Sequence, residues 1–129
     1  VKTVEIEART LKEMTVKDFL PAVASYASTV ADQTMAMKAF AQEVPTSEAQ
    51  ALVAELGTSY EKLSVSLKDL DERIKVVSQA ESMQEAADLC HTSLLPAMDA
   101  IRAEADAAET KIPDEELPYP TYDALLFSI

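Results

Sequence analysis

The sequence predicts an all-α fold, an antiparallel up-down-up bundle of three helices with a very long, proline-kinked first helix and a docked, proline-rich C-terminal tail. Three observations carry this prediction. With one glycine and no tryptophan in 129 residues, and abundant Ala, Leu, Glu and Met, the chain is built from strong helix formers. Apolar residues recur at spacings of three and four through three long stretches, the period of helices packing on helices. Two short breaks, at Val44-Pro45 and at Ser78 to Ser82, carry the signals that stop one helix and start the next.

Helix 1 is predicted over about 2–43. Its face runs Phe19, Val23, Tyr26, Val30, Gln33, Met37, Phe40 and Val44, with Val4, Ala8 and Leu11 extending it upstream. At about 1.5 Å per residue it is a rod of about 60 Å. Pro21 has no N–H to give to the preceding turn and its ring crowds that turn, yet the apolar face continues on both sides, so a kink is predicted and not a break. Val44-Pro45 ends the helix, because a residue before proline is pushed out of the α region.

Helix 2 is predicted over 47–78, with Ser47 as cap and Gln50 as its capping-box partner. Its face is Leu52, Leu56, Tyr60, Leu63, Leu67, Leu70, Ile74 and Val77. Gly57 lies inside it, at a cost of about 1 kcal/mol, which predicts close approach of a neighbouring helix or chain. Helix 3, over 82–111, starts at a second capping box, Ser82 with Glu85. It carries Met83, Ala87, Cys90, Leu94, Ala97, Ile101, Ala105, Ala108 and Ile112. Pro96 interrupts it as Pro21 interrupts helix 1, in matching strings: Phe19-Leu20-Pro21-Ala22-Val23 and Leu94-Leu95-Pro96-Ala97-Met98.

Residues 1–112 thus form the bundle, and the excess length of helix 1, up to about Thr10, projects beyond it and needs another domain to pack on. The tail, 113–129, is of another kind. Pro113, Pro118 and Pro120 exclude a continuous helix, and Asp114-Glu115-Glu116 is a solvated acidic patch. Thr121 caps a last helical turn from Tyr122 to Phe127. Leu117, Tyr119, Tyr122, Leu125, Leu126 and Phe127 would expose on the order of several hundred Å² of apolar surface if free, so docking is predicted, on the bundle, on the overhang at Val4 and Ile6, or on an equivalent chain. Val4, Ile6, Tyr119, Tyr122, Leu125, Leu126 and Phe127 are therefore the candidate interaction or assembly residues.

The formal net charge is −12, and residues 81–129 hold 2 basic and 11 acidic groups. Such a field repels phosphate backbones and anionic head groups, which excludes nucleic acid and an anionic membrane surface as partners. No apolar run approaches a membrane span and no signal-like start is present, while the single cysteine, Cys90, leaves no internal disulfide. These features predict a cytoplasmic location. Val1 is not a methionine and already lies within a helical pattern, which predicts a piece of a longer polypeptide.

Chemistry-bearing patterns are weak. His91, with Cys90 beside it and Asp88 three residues earlier, does not make a Glu-x-x-His di-iron set, and neighbours on a helix point about 100° apart, so no zinc site is predicted. Cys90 reads as core and His91 as partly exposed. There is no glycine-rich phosphate loop, no serine in a strained turn and no inward carboxylate cluster; Glu104, Asp106 and Glu109 read as solvated helix positions. Met14, Met35, Met37, Met83 and Met98 read as core filling. No catalytic, cofactor-binding or metal residue is predicted.

The two ends of the chain resemble one family. Val1-Lys2-Thr3-Val4-Glu5-Ile6-Glu7-Ala8, followed by Leu11, Met14, Leu20-Pro21-Ala22 and Tyr26, is similar to the start of the C-terminal region of type III glutamine synthetases. Leu95-Pro96-Ala97-Met98 with Arg102 and Asp106, then Pro118-Tyr119-Pro120-Thr121-Tyr122 and Leu125-Leu126-Phe127, resemble that family's closing helix and ending. Leu117 stands where the family pattern has tryptophan. The resemblance implies a parent enzyme that joins ammonia to glutamate using ATP and a divalent metal, magnesium or manganese, in a cytoplasmic homo-oligomer. It also implies that the catalytic machinery lies in an upstream domain of the same polypeptide, this part being a non-catalytic support for subunit and assembly. The competing reading is a stand-alone acidic helical-bundle interaction module, adaptor or chaperone-like, with the acidic last third and the methionines as its partner surface.

Overall fold

A computed structural model describes residues 2–118, which are helical almost throughout and form three helices without a strand. Helix 1 is one rod made of Lys2–Met14, a π turn at Thr15–Phe19, and Leu20–Phe40. Helix 2 is Ser47–Ser78. Helix 3 joins Met83–Leu89, a π turn at Cys90–Leu94, and Leu95–Glu109. Beyond it lies a short 3-10 turn, Asp114–Glu116.

Both prolines sit at the same place in the same device. Pro21 cannot donate a hydrogen bond, and just before it the Leu20 N–H reaches five residues back to the Thr15 carbonyl, so the turn is widened by one residue. Just before Pro96, the Leu95 N–H bonds the Cys90 carbonyl in the same way. A threonine hydroxyl accompanies each: Thr15 Oγ1 donates to the Leu11 carbonyl at 2.7 Å, and Thr92 Oγ1 to that of Asp88 at 2.8 Å. Both prolines face solvent, whereas Phe19, Val23, Leu94 and Met98 around them are buried.

The core is one cluster. Helix 2 supplies Leu56, Leu63, Leu67, Leu70, Ile74 and Val77; helix 1 supplies Ala8, Phe19, Leu20 and Val23; helix 3 supplies Cys90, Leu94, Met98, Ile101 and Ala108. Polar contacts record which levels meet. Lys12 pairs with Asp71, Arg73 donates to Ser93, Ser66 donates to Glu104 at 3.4 Å, and Lys111 lies 4.0 Å from Glu55.

Several local expectations are corrected. Helix 1 ends at Phe40, because Ala41 is already extended. The N-cap position of helix 2 is Thr46 and not Ser47, and no side chain caps the backbone there; the Gln50 side-chain amide donates to Thr46 Oγ1 at 3.0 Å. Ser82 does cap helix 3, accepting from the Glu85 N–H at 3.1 Å, but the Glu85 carboxylate returns to the Glu81 N–H, one residue before the expected donor. A Cβ at Gly57 would meet nothing within 4 Å, so among the described residues no helix approaches closely there. The start of helix 1 is engaged rather than projecting throughout, since Ala8 is fully buried and Val4 packs against the core. Leu117, at the start of the tail, lies in the core. The docking expected for Tyr119, Tyr122, Leu125, Leu126 and Phe127 lies outside the described residues.

Candidate interaction site

At the Lys2 end, helix 1 turns Val4 toward the core and Ile6 away from it, as the helical period requires for residues two apart. Ile6 is 63% exposed. Further along, Asp71 of helix 2 accepts from Lys12 and pairs with Lys75, its neighbour one turn along the same helix, at 3.4 Å. The hydrogen bonds from Lys12 first, and then Lys75, hold the Asp71 carboxyl below its ordinary value of 3.8, while the bond to Asp71 raises the Lys75 ammonium. On the far side of helix 2, Arg73 donates to both the carbonyl and the hydroxyl of Ser93, inside the second π turn, at 3.2 and 3.1 Å.

At the opposite end the expected face of helix 1 is not covered by the described residues. Met37 is 53% exposed and Phe40 96%, and Met35 beside them is 70% exposed, so the methionines split: Met98 fills the core and these do not. A groove of about 1030 Å³ separates Ala31, Met35 and Ala39 of helix 1 from Ala49 and Val53 of helix 2. The sequence period marks that face as apolar but gives no sign that helix 3 stops short of it. Met83, expected on the face of helix 3, is 84% exposed.

Cys90 is buried and His91 exposed, and among the described residues no three of His, Cys, Asp and Glu converge as metal ligands. Among the same residues no helix is long and apolar enough to cross a membrane. What the arrangement offers is apolar contact surface at both ends of a rod.

Residues 1–38 match the family model of the glutamine synthetase C-terminal domain. Over these residues the chain is similar to that domain. It is 29% identical, over 97% of its length, to a glutamine synthetase of Bacteroides fragilis (strain YCH46), and 31% identical, over 99%, to one of Butyrivibrio fibrisolvens. It spans 18% of the length of each. The family match covers the first π turn and most of helix 1, which packs chiefly on helix 2, the element that both other helices share.

Proposed function

We propose that this chain is the non-catalytic C-terminal helical domain of a type III glutamine synthetase, a cytoplasmic enzyme, and that it supports subunit structure and oligomer assembly. The observation that carries the reading is the similarity to two glutamine synthetases over nearly the whole chain. The terminal strings, Val1 to Ala8 and Pro118 to Phe127, support the type III assignment. The whole enzyme would make glutamine from glutamate and ammonia, with ATP and magnesium or manganese bound in an upstream catalytic domain. The described residues do not fit those groups, since they bring no carboxylate set together and the lone glycine lies in mid-helix, not in a phosphate loop.

In this reading residues 1–112 are an antiparallel up-down-up bundle and 113–129 its docked tail. The succession of Lys12 with Asp71, Arg73 with Ser93 and Glu55 with Lys111 supports the alternation of direction. The π turns before Pro21 and Pro96 support matched bends in helices 1 and 3. Ile6 faces the upstream domain or another subunit while Val4 beside it packs on the bundle, and Tyr119, Tyr122, Leu125, Leu126 and Phe127 form the apolar contact segment of the tail.

The second reading, a stand-alone interaction module, is favoured by the exposure of Met35, Phe40 and Met83. Two measurements test the first reading. Calorimetric titration of the chain with magnesium and ATP should give no specific heat, and micromolar binding would overturn the non-catalytic assignment. In the parent enzyme, Ile6→Glu should shift sedimentation toward smaller species without loss of helicity. Unchanged sedimentation would remove Ile6 from the assembly surface.

A further inference from the structure

The groove between the end of helix 1 and the start of helix 2 has a ready occupant. Ala31, Met35 and Ala39 face Ala49 and Val53 across it, uncharged Thr and Gln side chains complete the walls, and its only charged lining residue is Lys38. In a chain of net charge −12, a lining with one cation and no carboxylate is a distinctive surface. The described chain approaches the root of this groove at its end. Lys111 reaches Glu55, two residues beyond Val53 on helix 2, and Ile112 and then Leu117 are buried in the core.

The sequence after Pro118 has the matching pattern. Tyr122, Leu125, Leu126 and Ile129 stand at i, i+3, i+4 and i+7, one face of a helix, and Asp123 is the only charged residue after Glu116. Eight residues of helix from Tyr122 measure about 12 Å, close to the roughly 10 Å of helix 2 from Ser47 to Val53 along the groove. The three residues between Pro118 and Tyr122 add up to about 10 Å of reach when extended.

We propose that residues 119–129 of the same chain lie in this groove as a short amphipathic helix, Tyr122, Leu125, Leu126 and Ile129 turned onto the alanine walls and Asp123 near Lys38. This closes the hairpin of helices 1 and 2 where helix 3 no longer covers it. It does not rest on the ligase reading and would hold for a stand-alone module.

The test uses the full 129-residue chain, which has no tryptophan, so Tyr122→Trp installs a single reporter. Its emission should be blue-shifted and shielded from iodide, and should stay so on 100-fold dilution. Ala39→Glu, at an exposed position in the groove wall, should return the emission to that of a solvated indole with helicity unchanged. Ala49→Glu should do the same from the other wall, which guards against a local defect of one helix. Ser28→Glu, exposed and outside the groove, should leave it blue. Solvated emission before any groove substitution would overturn the proposal, as would buried emission that neither groove variant moves. Burial that is lost on dilution would assign the groove to a second copy and overturn it too.

Discussion

The Lys12 ammonium donates to the carboxylate of Asp71, tying the first third of helix 1 to the last third of helix 2. Lys75 holds the other oxygen of the same carboxylate at 3.4 Å, so one acid serves two cations. Because the pair of lysines lowers the folded-state pKa of Asp71, its contribution is present above the ordinary value of 3.8 and is lost as pH falls through the lowered one. Lys75 is raised, so its share is complete below 10.5 and is lost as pH rises through the raised value. Asp71→Asn should therefore lower the melting temperature at pH 7, and the gap to the parent chain should close in acid below about pH 4. A gap that persists unchanged at pH 2 would mean that the substitution acts through packing and not through charge.

Burial separates the two ends of the bundle. Leu94, fully buried in the second π turn, should cost about 2–5 kcal/mol when replaced by alanine, whereas Phe40→Ala, at 96% exposure, should stay within about 0.5 kcal/mol. Urea unfolding of both variants checks this; a large loss at Phe40 would mean that something covers it in solution.

Much of this was legible from periodicity. The leucine face of helix 2 runs as the spacing predicts, with Leu56, Leu63, Leu67, Leu70, Ile74 and Val77 buried, Leu52 half-buried and Tyr60 drifting out to 39% exposure. Helix 1 shows the limit of the same argument. The alternation from Phe19 to Val44 continues unchanged past Val30, but period reports only that a face is apolar, not whether a partner is present, and Met37 and Phe40 are left uncovered. The π turns were hidden for a related reason. A proline inside a continuing pattern announces that a hydrogen bond is missing; which carbonyl takes up the neighbouring N–H is decided by how Phe19 and Leu94 pack, which is a tertiary matter.

Gly57 gives a sharper test of what lies outside the chain. With nothing within 4 Å of an added Cβ, Gly57→Ala should stabilise the isolated chain by about 0.5–1 kcal/mol, the difference in helix propensity. Thermal unfolding decides. A loss of stability would show that a second chain packs on the glycine.

Ser82 accepts from the Glu85 N–H at the start of helix 3. Ser82→Ala should cost about 0.5–2 kcal/mol and fray Met83 to Leu89 first, since no residue of that segment is fully buried. Amide exchange should show the loss confined there; uniform loss across helix 3 would mean that its first turn does not open independently.

If this chain is one domain of a larger ligase subunit, as proposed, the intact mass of the native polypeptide that carries it shows so at once. The account predicts a mass several times the 14.0 kDa of these residues, with the coding sequence upstream of Val1 continuing in frame into a glutamine synthetase catalytic domain. A native product of about 14 kDa, with a start codon within a few residues of Val1, would contradict it and leave the stand-alone module in its place.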